Sequence, residues 1–219
     1  MQAPASPAPE VRILALGDSY TIGESVATDD RWPLRLAAML RASGVPVAEP
    51  VLIARTGWTT DELAKGIDAT PPSGTFGLVT LLIGVNNQFR GRPTDEYRSQ
   101  FRSLLTRAIA YADAQPSHVI VVSIPDWGVT PFGGRSGRGA ERIATEIDAF
   151  NAIARDEVTR ARAHFVDITP ASRRAATEPA LVAGDGLHPS ATMYEEWARA
   201  VLPVALEALG RAKRSGQRP

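Results

Sequence analysis

Short apolar runs alternate with longer amphipathic segments along most of the chain. Such alternation predicts βαβ units built around a parallel sheet. The predicted strands are residues 11–16, 51–54, 78–84, 118–124 and 164–168. The predicted helices are residues 32–43, 61–66, 94–115, 140–162 and 191–210.

The composition suits one globular domain. With 219 residues, of which 44% are hydrophobic and 22% charged, the chain is long enough to bury a substantial core. We predict that this domain covers residues 11–210. The Pro/Ala-rich segment 1–10 is expected to be a disordered tail, and residues 211–219 a C-terminal tail.

Charge and cysteine content limit the possible partners. The 24 basic residues balance 24 acidic ones, so no electrostatic argument favours nucleic acid. No apolar run approaches the roughly 20 residues of a membrane span. The absence of cysteine excludes disulfides and a thiolate nucleophile. Cytoplasmic and exported locations are about equally compatible with the sequence, since the N-terminal tail could be what remains after removal of a signal peptide. The sequence does not indicate an oligomeric state.

A serine follows the first predicted strand directly, in the sequence Gly17-Asp18-Ser19. Ligands bind at the carboxyl ends of the strands in open α/β sheets, so this hydroxyl is expected to take part in chemistry. An Asp-Ser pair after a strand can also simply cap a helix. The assignment therefore depends on partners for Ser19.

A nucleophilic serine needs an adjacent base, most often histidine. His118 and His164 open strands away from Ser19 and are expected to be ordinary boundary residues. His188 follows Asp185 by three residues in a loop. A turn of this length brings the carboxylate to one ring nitrogen and leaves the other free for Ser19. An Asp-Gly turn before a helix is also a common structural device.

Acyl transfer requires hydrogen-bond donors for the oxygen that becomes negative in the tetrahedral intermediate. Asn86, after the third strand, offers a side-chain amide, and Gly57, after the second, offers a backbone N–H group. The backbone N–H of Ser19 is a third candidate. Asparagine and glycine are also ordinary turn residues, so only their joint placement after successive strands favours this function.

At these positions the chain resembles the SGNH hydrolases, also called the GDSL esterase/lipase family. The four signature blocks occur in order, and the resemblance spans residues 11–210. The blocks are Gly17-Asp18-Ser19, Gly57, Gly84-Val85-Asn86-Asn87 and Asp185-Gly186-Leu187-His188. The resemblance implies a three-layer α/β/α, flavodoxin-like fold with a five-stranded parallel sheet, and a site that needs no metal or cofactor.

The resemblance also implies the roles of individual residues. Ser19 would be the nucleophile, His188 the base and Asp185 the carboxylate that orients it. Ser19, Gly57 and Asn86 would form the oxyanion hole. The chain departs from the family pattern at two positions: Tyr20 replaces the usual leucine, where we expect a change in packing only, and Asn87 replaces the usual aspartate.

These observations predict a serine esterase that hydrolyses carboxylic esters of small or medium acyl groups through an acyl-enzyme, with a small-molecule ester as its partner. Four aromatic residues near the expected mouth suggest an apolar lining: Trp58, Phe89, Trp127 and Phe132. Residues 125–139 are rich in Gly and Pro and are predicted to form a long functional or mobile loop. The alternatives are an acyltransferase with the same triad and a non-catalytic α/β ligand-binding module.

Overall fold

A parallel sheet forms the centre of the protein in the computed structural model, which describes residues 10–211. Its five strands follow the order β2-β1-β3-β4-β5, and all neighbouring strands are parallel. The strands are β1 (Ile13–Gly17), β2 (Val51–Ala54), β3 (Leu78–Leu82), β4 (Val119–Val122) and β5 (His164–Val166). This order is the flavodoxin-like arrangement, in which ligands bind at the carboxyl ends of the strands.

Helices cover both faces of the sheet. They are α1 (Ser19–Ile22), α2 (Trp32–Ala42), α3 (Thr60–Ala69), α4 (Val85–Phe89), α5 (Thr94–Tyr111), α6 (Pro131–Arg135), α7 (Ala140–Ala161), α8 (Thr169–Arg173) and α9 (Ala191–Ala208). Helix α2 packs against α9, while α5 packs against both α3 and α7. The two groups lie on opposite faces, as right-handed crossovers require. The predicted three-layer α/β/α fold is confirmed.

Burial of the strands explains the apolar runs of the sequence. Every residue of the three central strands, β1, β3 and β4, is buried. The edge strands β2 and β5 are only partly buried. A strand covered by helices on both faces needs apolar side chains on both sides, so the central strands are continuous hydrophobic runs rather than alternating ones.

The segment 125–139 differs from the prediction of a long irregular loop. It contains a short 3₁₀ turn, Trp127–Val129, followed by helix α6. Both begin with a side-chain cap: Asp126 accepts from the Gly128 N–H at 2.9 Å, and Thr130 accepts from the Gly133 N–H at 3.1 Å. The prediction was wrong because glycine and proline were counted as loop formers, whereas Asp126 and Thr130 act as N-caps.

The predicted tails fall almost entirely outside the described residues, which include only Glu10 and Arg211 of them. Within residues 10–211, no helix combines the length and the apolar character needed to cross a membrane.

Candidate active site

Ser19 stands at the carboxyl end of the central strand β1, as the first residue of helix α1. Asp18 caps this helix by accepting a hydrogen bond from the Tyr20 N–H at 3.0 Å. Glycine is required at position 17, since a Cβ there would lie 2.6 Å from the carbonyl oxygen of Leu82 on β3. The close approach of the two strands therefore leaves no room for a side chain at position 17. Ser19, two residues further on, is buried, with 4% of its surface exposed.

A tight turn before helix α9 carries Asp185 and His188. The carboxylate oxygen Oδ1 of Asp185 accepts the backbone N–H groups of Leu187 at 2.8 Å and His188 at 2.9 Å. Gly186 adopts a φ of +73°, the left-handed conformation that this turn needs. Ser190 then caps α9. Backbone hydrogen bonds thus fold the turn around the carboxylate.

The structure brings the three predicted triad residues into one hydrogen-bonded chain. His188 Nε2 lies 2.9 Å from Ser19 Oγ, and His188 Nδ1 lies 2.6 Å from Asp185 Oδ2. His188 is buried, with 6% of its surface exposed. The other two histidines, His118 and His164, lie at the amino ends of β4 and β5, away from this chain.

Asp185 is held as a carboxylate. Burial opposes its ionisation, but it accepts hydrogen bonds from the His188 ring, the Leu187 N–H, the Ser25 hydroxyl and the His188 N–H. These bonds outweigh the desolvation and hold the pKa of Asp185 well below its usual range. A negative charge beside Nδ1 favours a proton on that nitrogen and leaves Nε2 as the acceptor facing Ser19.

The predicted oxyanion donors follow neighbouring strands of the sheet. Gly57 follows β2, and Asn86 lies in α4 just after β3. Asn86 Nδ2 donates to the carbonyl oxygen of Trp58 at 2.9 Å, which joins these two loops. Its other contact, with Asp18 Oδ2, is 3.4 Å long and exceeds the ordinary hydrogen-bond range. Within residues 10–211, the N–H groups of Ser19 and Gly57 have no hydrogen-bond partner.

A cavity of about 160 Å³ opens beside Ser19. Three aromatic side chains contact one another in its wall: Phe89 and Trp127 have ring centroids 5.4 Å apart, and Phe132 lies 5.9 Å from Trp127. Ser19, Asn86 and His188 also line the cavity, together with Tyr20, Val85 and Leu187, whereas Gly57 does not.

Trp58 lies outside this cavity, contrary to its predicted place in the lining. Its indole packs on Gly66 of helix α3, so closely that a Cβ at Gly66 would lie 2.1 Å from the ring. The contribution of Trp58 to the site is its backbone carbonyl, which orients Asn86. The sequence alone does not show whether the Trp58 ring faces the cavity or helix α3, because the ring packs on Gly66, which lies on that helix.

Two further contacts of the site were missed by the sequence analysis. The Ser25 hydroxyl donates to Asp185 Oδ2 at 2.7 Å. The Tyr20 ring packs against the His188 ring with centroids 5.1 Å apart. No motif marks Ser25, since the contact joins residues 160 positions apart. Tyr20 was noted only as a departure from the family pattern.

The chain belongs to the GDSL-like lipase/acylhydrolase family, whose profile matches residues 15–196. It is therefore a hydrolase of the esterase and lipase class. No curated protein matches the chain by sequence.

Solved structures of esterases share the fold. A lipase/acylhydrolase from Enterococcus faecalis is 22% identical with a TM-score of 0.66, and the match covers 94% of this chain and 100% of that chain. A variant of Axe2, an acetyl-xylooligosaccharide esterase from Geobacillus Stearmophilus, is 19% identical with a TM-score of 0.69 over 95% and 97% of the two chains. The psychrotrophic esterase EstA from Pseudoalteromonas, inhibited by monoethylphosphonate, is 16% identical with a TM-score of 0.64 over 92% and 100%.

Asp18 is the least solvated acid of the site, with none of its surface exposed. Burial raises its pKa to about 7, although the hydrogen bond from the Tyr20 N–H opposes this shift. In the unfolded chain an aspartate ionises at about 3.9. Between these two pH values the folded state binds the extra proton, so this group makes the protein less stable as the pH rises from about 4 to about 7.

Replacement of Asp18 by asparagine is expected to remove this part of the pH dependence. The free energy of unfolding of Asp18→Asn, relative to the wild type, should increase steadily between about pH 4.5 and pH 7.5, as measured by urea denaturation at several pH values. The Asp29→Asn variant, changed at an exposed acid, controls for the loss of one negative charge. Parallel pH curves for Asp18→Asn and the wild type would contradict the raised pKa.

Proposed function

We propose that the protein is a serine esterase that hydrolyses carboxylic esters of small or medium acyl groups through an acyl-enzyme. The observation that carries the proposal is the chain of hydrogen bonds from Ser19 through His188 to Asp185 at the edge of an open cavity. The hydrogen bond between nucleophile and base is already within the 2.6–3.2 Å range that direct proton transfer requires.

The first half of the reaction acylates Ser19. His188 Nε2 takes the hydroxyl proton while Ser19 Oγ attacks the carbonyl carbon of the ester, and Asp185 stabilises the resulting imidazolium. The tetrahedral intermediate then breaks its bond to the alkoxy oxygen, which leaves as an alcohol after receiving the proton from Nε2. The second half repeats these steps with water in place of Ser19, and releases the acid and the free serine.

The oxyanion is stabilised by three donors that follow β1, β2 and β3. Two are the N–H groups of Ser19 and Gly57, which have no partner within the described residues. The third is the side-chain nitrogen Nδ2 of Asn86, which donates one of its two protons to the Trp58 carbonyl oxygen. Arg90 donates to the Gly57 carbonyl oxygen at 2.6 Å and so fixes the backbone beside that donor. Donors that are oriented before the reaction stabilise the developing charge without reorganisation.

The size of the cavity favours a small or medium acyl group. A cavity of about 150 Å³ accommodates a benzene molecule. The cavity beside Ser19, at about 160 Å³, is of similar size and therefore suits a small or medium acyl group better than a long chain. Trp127, only 2% exposed, lies in its wall and donates from its indole N–H to Gln88 at 2.8 Å. The acetyl group of the substrate named for Axe2 is a small acyl group, so an acetylated xylo-oligosaccharide belongs in the substrate panel.

Replacement of Ser19 or His188 by alanine tests the proposal most directly. Each change is expected to lower kcat on a soluble aryl ester at least about 10⁴-fold with the fold retained, and the double variant should be hardly worse than either single one, because triad members act as a unit. The His118→Ala variant is the matched control and should keep wild-type activity. A serine-directed fluorophosphonate should label the wild type but not Ser19→Ala.

Each alternative corresponds to a distinct outcome of the same experiments. Wild-type activity in Ser19→Ala would exclude Ser19 as the nucleophile. A protein that neither hydrolyses esters nor reacts with the fluorophosphonate would be a ligand-binding module. An acyltransferase would form a new ester faster than the free acid when an alcohol is added, and product analysis separates this from hydrolysis.

The adjacent residues Asn86 and Asn87 are expected to differ sharply. Asn86→Ala should lower kcat by about 100 to 1,000-fold with little change in KM, since the lost hydrogen bond strengthens as charge develops. Asn87 instead accepts from the Thr60 N–H at 3.0 Å and donates to the Thr60 hydroxyl at 2.7 Å. Asn87→Asp keeps the acceptor at the start of α3, where a negative charge is favourable, and should retain most activity.

Steady-state kinetics of both asparagine variants on one aryl ester are sufficient for this comparison. An increase in KM alone for Asn86→Ala, or an equal loss of kcat for Asn87→Asp, would show that the oxyanion is bound elsewhere.

Acyl-length preference depends on Phe89 in our proposal. Phe89 is 45% exposed at the cavity wall, so Phe89→Ala should enlarge the cavity at little cost in stability. We expect the ratio of kcat/KM for octanoyl over acetyl aryl esters to rise by roughly tenfold. Trp127→Ala is unsuitable for this test, because loss of a fully buried tryptophan destabilises a protein by about 3 to 5 kcal/mol.

The control for this experiment is Trp58→Phe, an aromatic substitution outside the cavity, which should leave the acyl profile unchanged. An unchanged profile in Phe89→Ala would place the acyl group away from the aromatic wall.

A further inference from the structure

We propose that Ser25 is a positioning residue of the active site, which holds the Asp185 carboxylate in the orientation that His188 requires. The inference rests on the proposed function of the triad. The observation that supports it is a shared acceptor: Asp185 Oδ2 accepts hydrogen bonds from both Ser25 Oγ at 2.7 Å and His188 Nδ1 at 2.6 Å.

Ser25 completes the hydrogen bonding of the carboxylate. The other oxygen, Oδ1, accepts from the N–H groups of Leu187 and His188 and is thereby fixed to its own turn. Oδ2 is held by side chains alone, and the Asp185 side chain is 31% exposed. Without the Ser25 hydroxyl, water can replace it on Oδ2, and His188 would be the only protein group that orients this oxygen.

The backbone around Ser25 is arranged to deliver this hydroxyl. Gly23 caps the C-terminus of helix α1 with a φ of +70°, and the Glu24 N–H donates to the Ser19 carbonyl oxygen at 3.0 Å. The chain then reverses, and Ser25 itself has a φ of +65°. This left-handed conformation costs a non-glycine residue roughly 1 to 2 kcal/mol, whereas glycine adopts it freely. The hydrogen bond from the Ser25 hydroxyl to Asp185 explains why this position holds a serine rather than a glycine.

The Ser25→Gly variant separates this role from a purely structural one. Glycine suits the left-handed backbone better than serine, so a residue needed only for the turn could be replaced without loss. We instead expect Ser25→Gly and Ser25→Ala both to lower kcat by about tenfold, the size expected for one hydrogen bond to a charged group, with KM within about twofold of the wild type.

A double-mutant cycle then tests whether Ser25 acts through Asp185. In the Asp185→Ala background, Ser25→Gly should change kcat by less than about twofold, because the group that it positions is gone. Two results would overturn the proposal. One is wild-type kcat in Ser25→Gly, and the other is the same tenfold loss in both backgrounds.

Proton NMR supplies a readout that does not depend on turnover. The proton on His188 Nδ1, which is shared with Asp185 Oδ2, should shift or exchange faster with water in Ser25→Gly than in the wild type. An unchanged resonance would overturn the role of Ser25 even in a protein without esterase activity. Absence of Ser19-dependent hydrolysis in the wild type would instead refute the proposed function, so the two failures are distinguishable.

Discussion

The hydrogen bond between Ser19 Oγ and His188 Nε2 joins residues 169 positions apart, and the arrangement of the site depends on it. Neither residue could reach the other without the sheet. β1 is an interior strand of the sheet, and its buried carboxyl end lies between β2 and β3. Helix α9, which begins just after His188, packs against α2 and the sheet. The core therefore fixes both ends of this contact before any substrate binds.

A second set of contacts joins the loops that follow β2 and β3. Asn86 donates to the carbonyl oxygen of Trp58, and Asn87 is hydrogen-bonded to the backbone and hydroxyl of Thr60. Asn87 and Thr60 are buried, so these bonds form where water does not compete with them. Two adjacent asparagines thus have separate tasks. Asn87 holds α3 against the end of β3, and this leaves Asn86 oriented toward the cavity.

Much of the fold could be predicted because the sequence carries its pattern locally. Central strands must be apolar on both faces, and such runs are visible without any knowledge of contacts. The ends of elements were less well predicted: the third strand stops at Leu82 rather than at residue 84, and helix α5 stops at Tyr111 rather than at residue 115. Strand pairing and helix capping determine these ends, and both depend on neighbours that the sequence does not show.

The site was predictable to the extent that its residues sit in short motifs. Ser19, Asp185 and His188 lie in two such blocks, and the parallel sheet brings the blocks together. Ser25 has no motif, since only the left-handed turn after α1 directs it to the carboxylate. The position of the Trp58 indole was predicted wrongly for a related reason: the ring packs on a glycine of α3, Gly66, which has no side chain. Contacts formed by backbone conformation or by a missing side chain leave little trace in sequence.

Tyr20 shows how a packing residue can bear on chemistry. We expected its replacement of the usual leucine to affect packing only, and its ring does pack, but against the imidazole of His188 and the indole of Trp197. The imidazole is therefore confined by three groups: Asp185 at Nδ1, Ser19 at Nε2 and Tyr20 on the ring. A hydrogen bond at each nitrogen still permits rotation about the line that joins them, and an aromatic ring packed against the imidazole opposes that rotation. The departure from the family pattern thus lies at a position where packing cannot be separated from the orientation of the His188 ring.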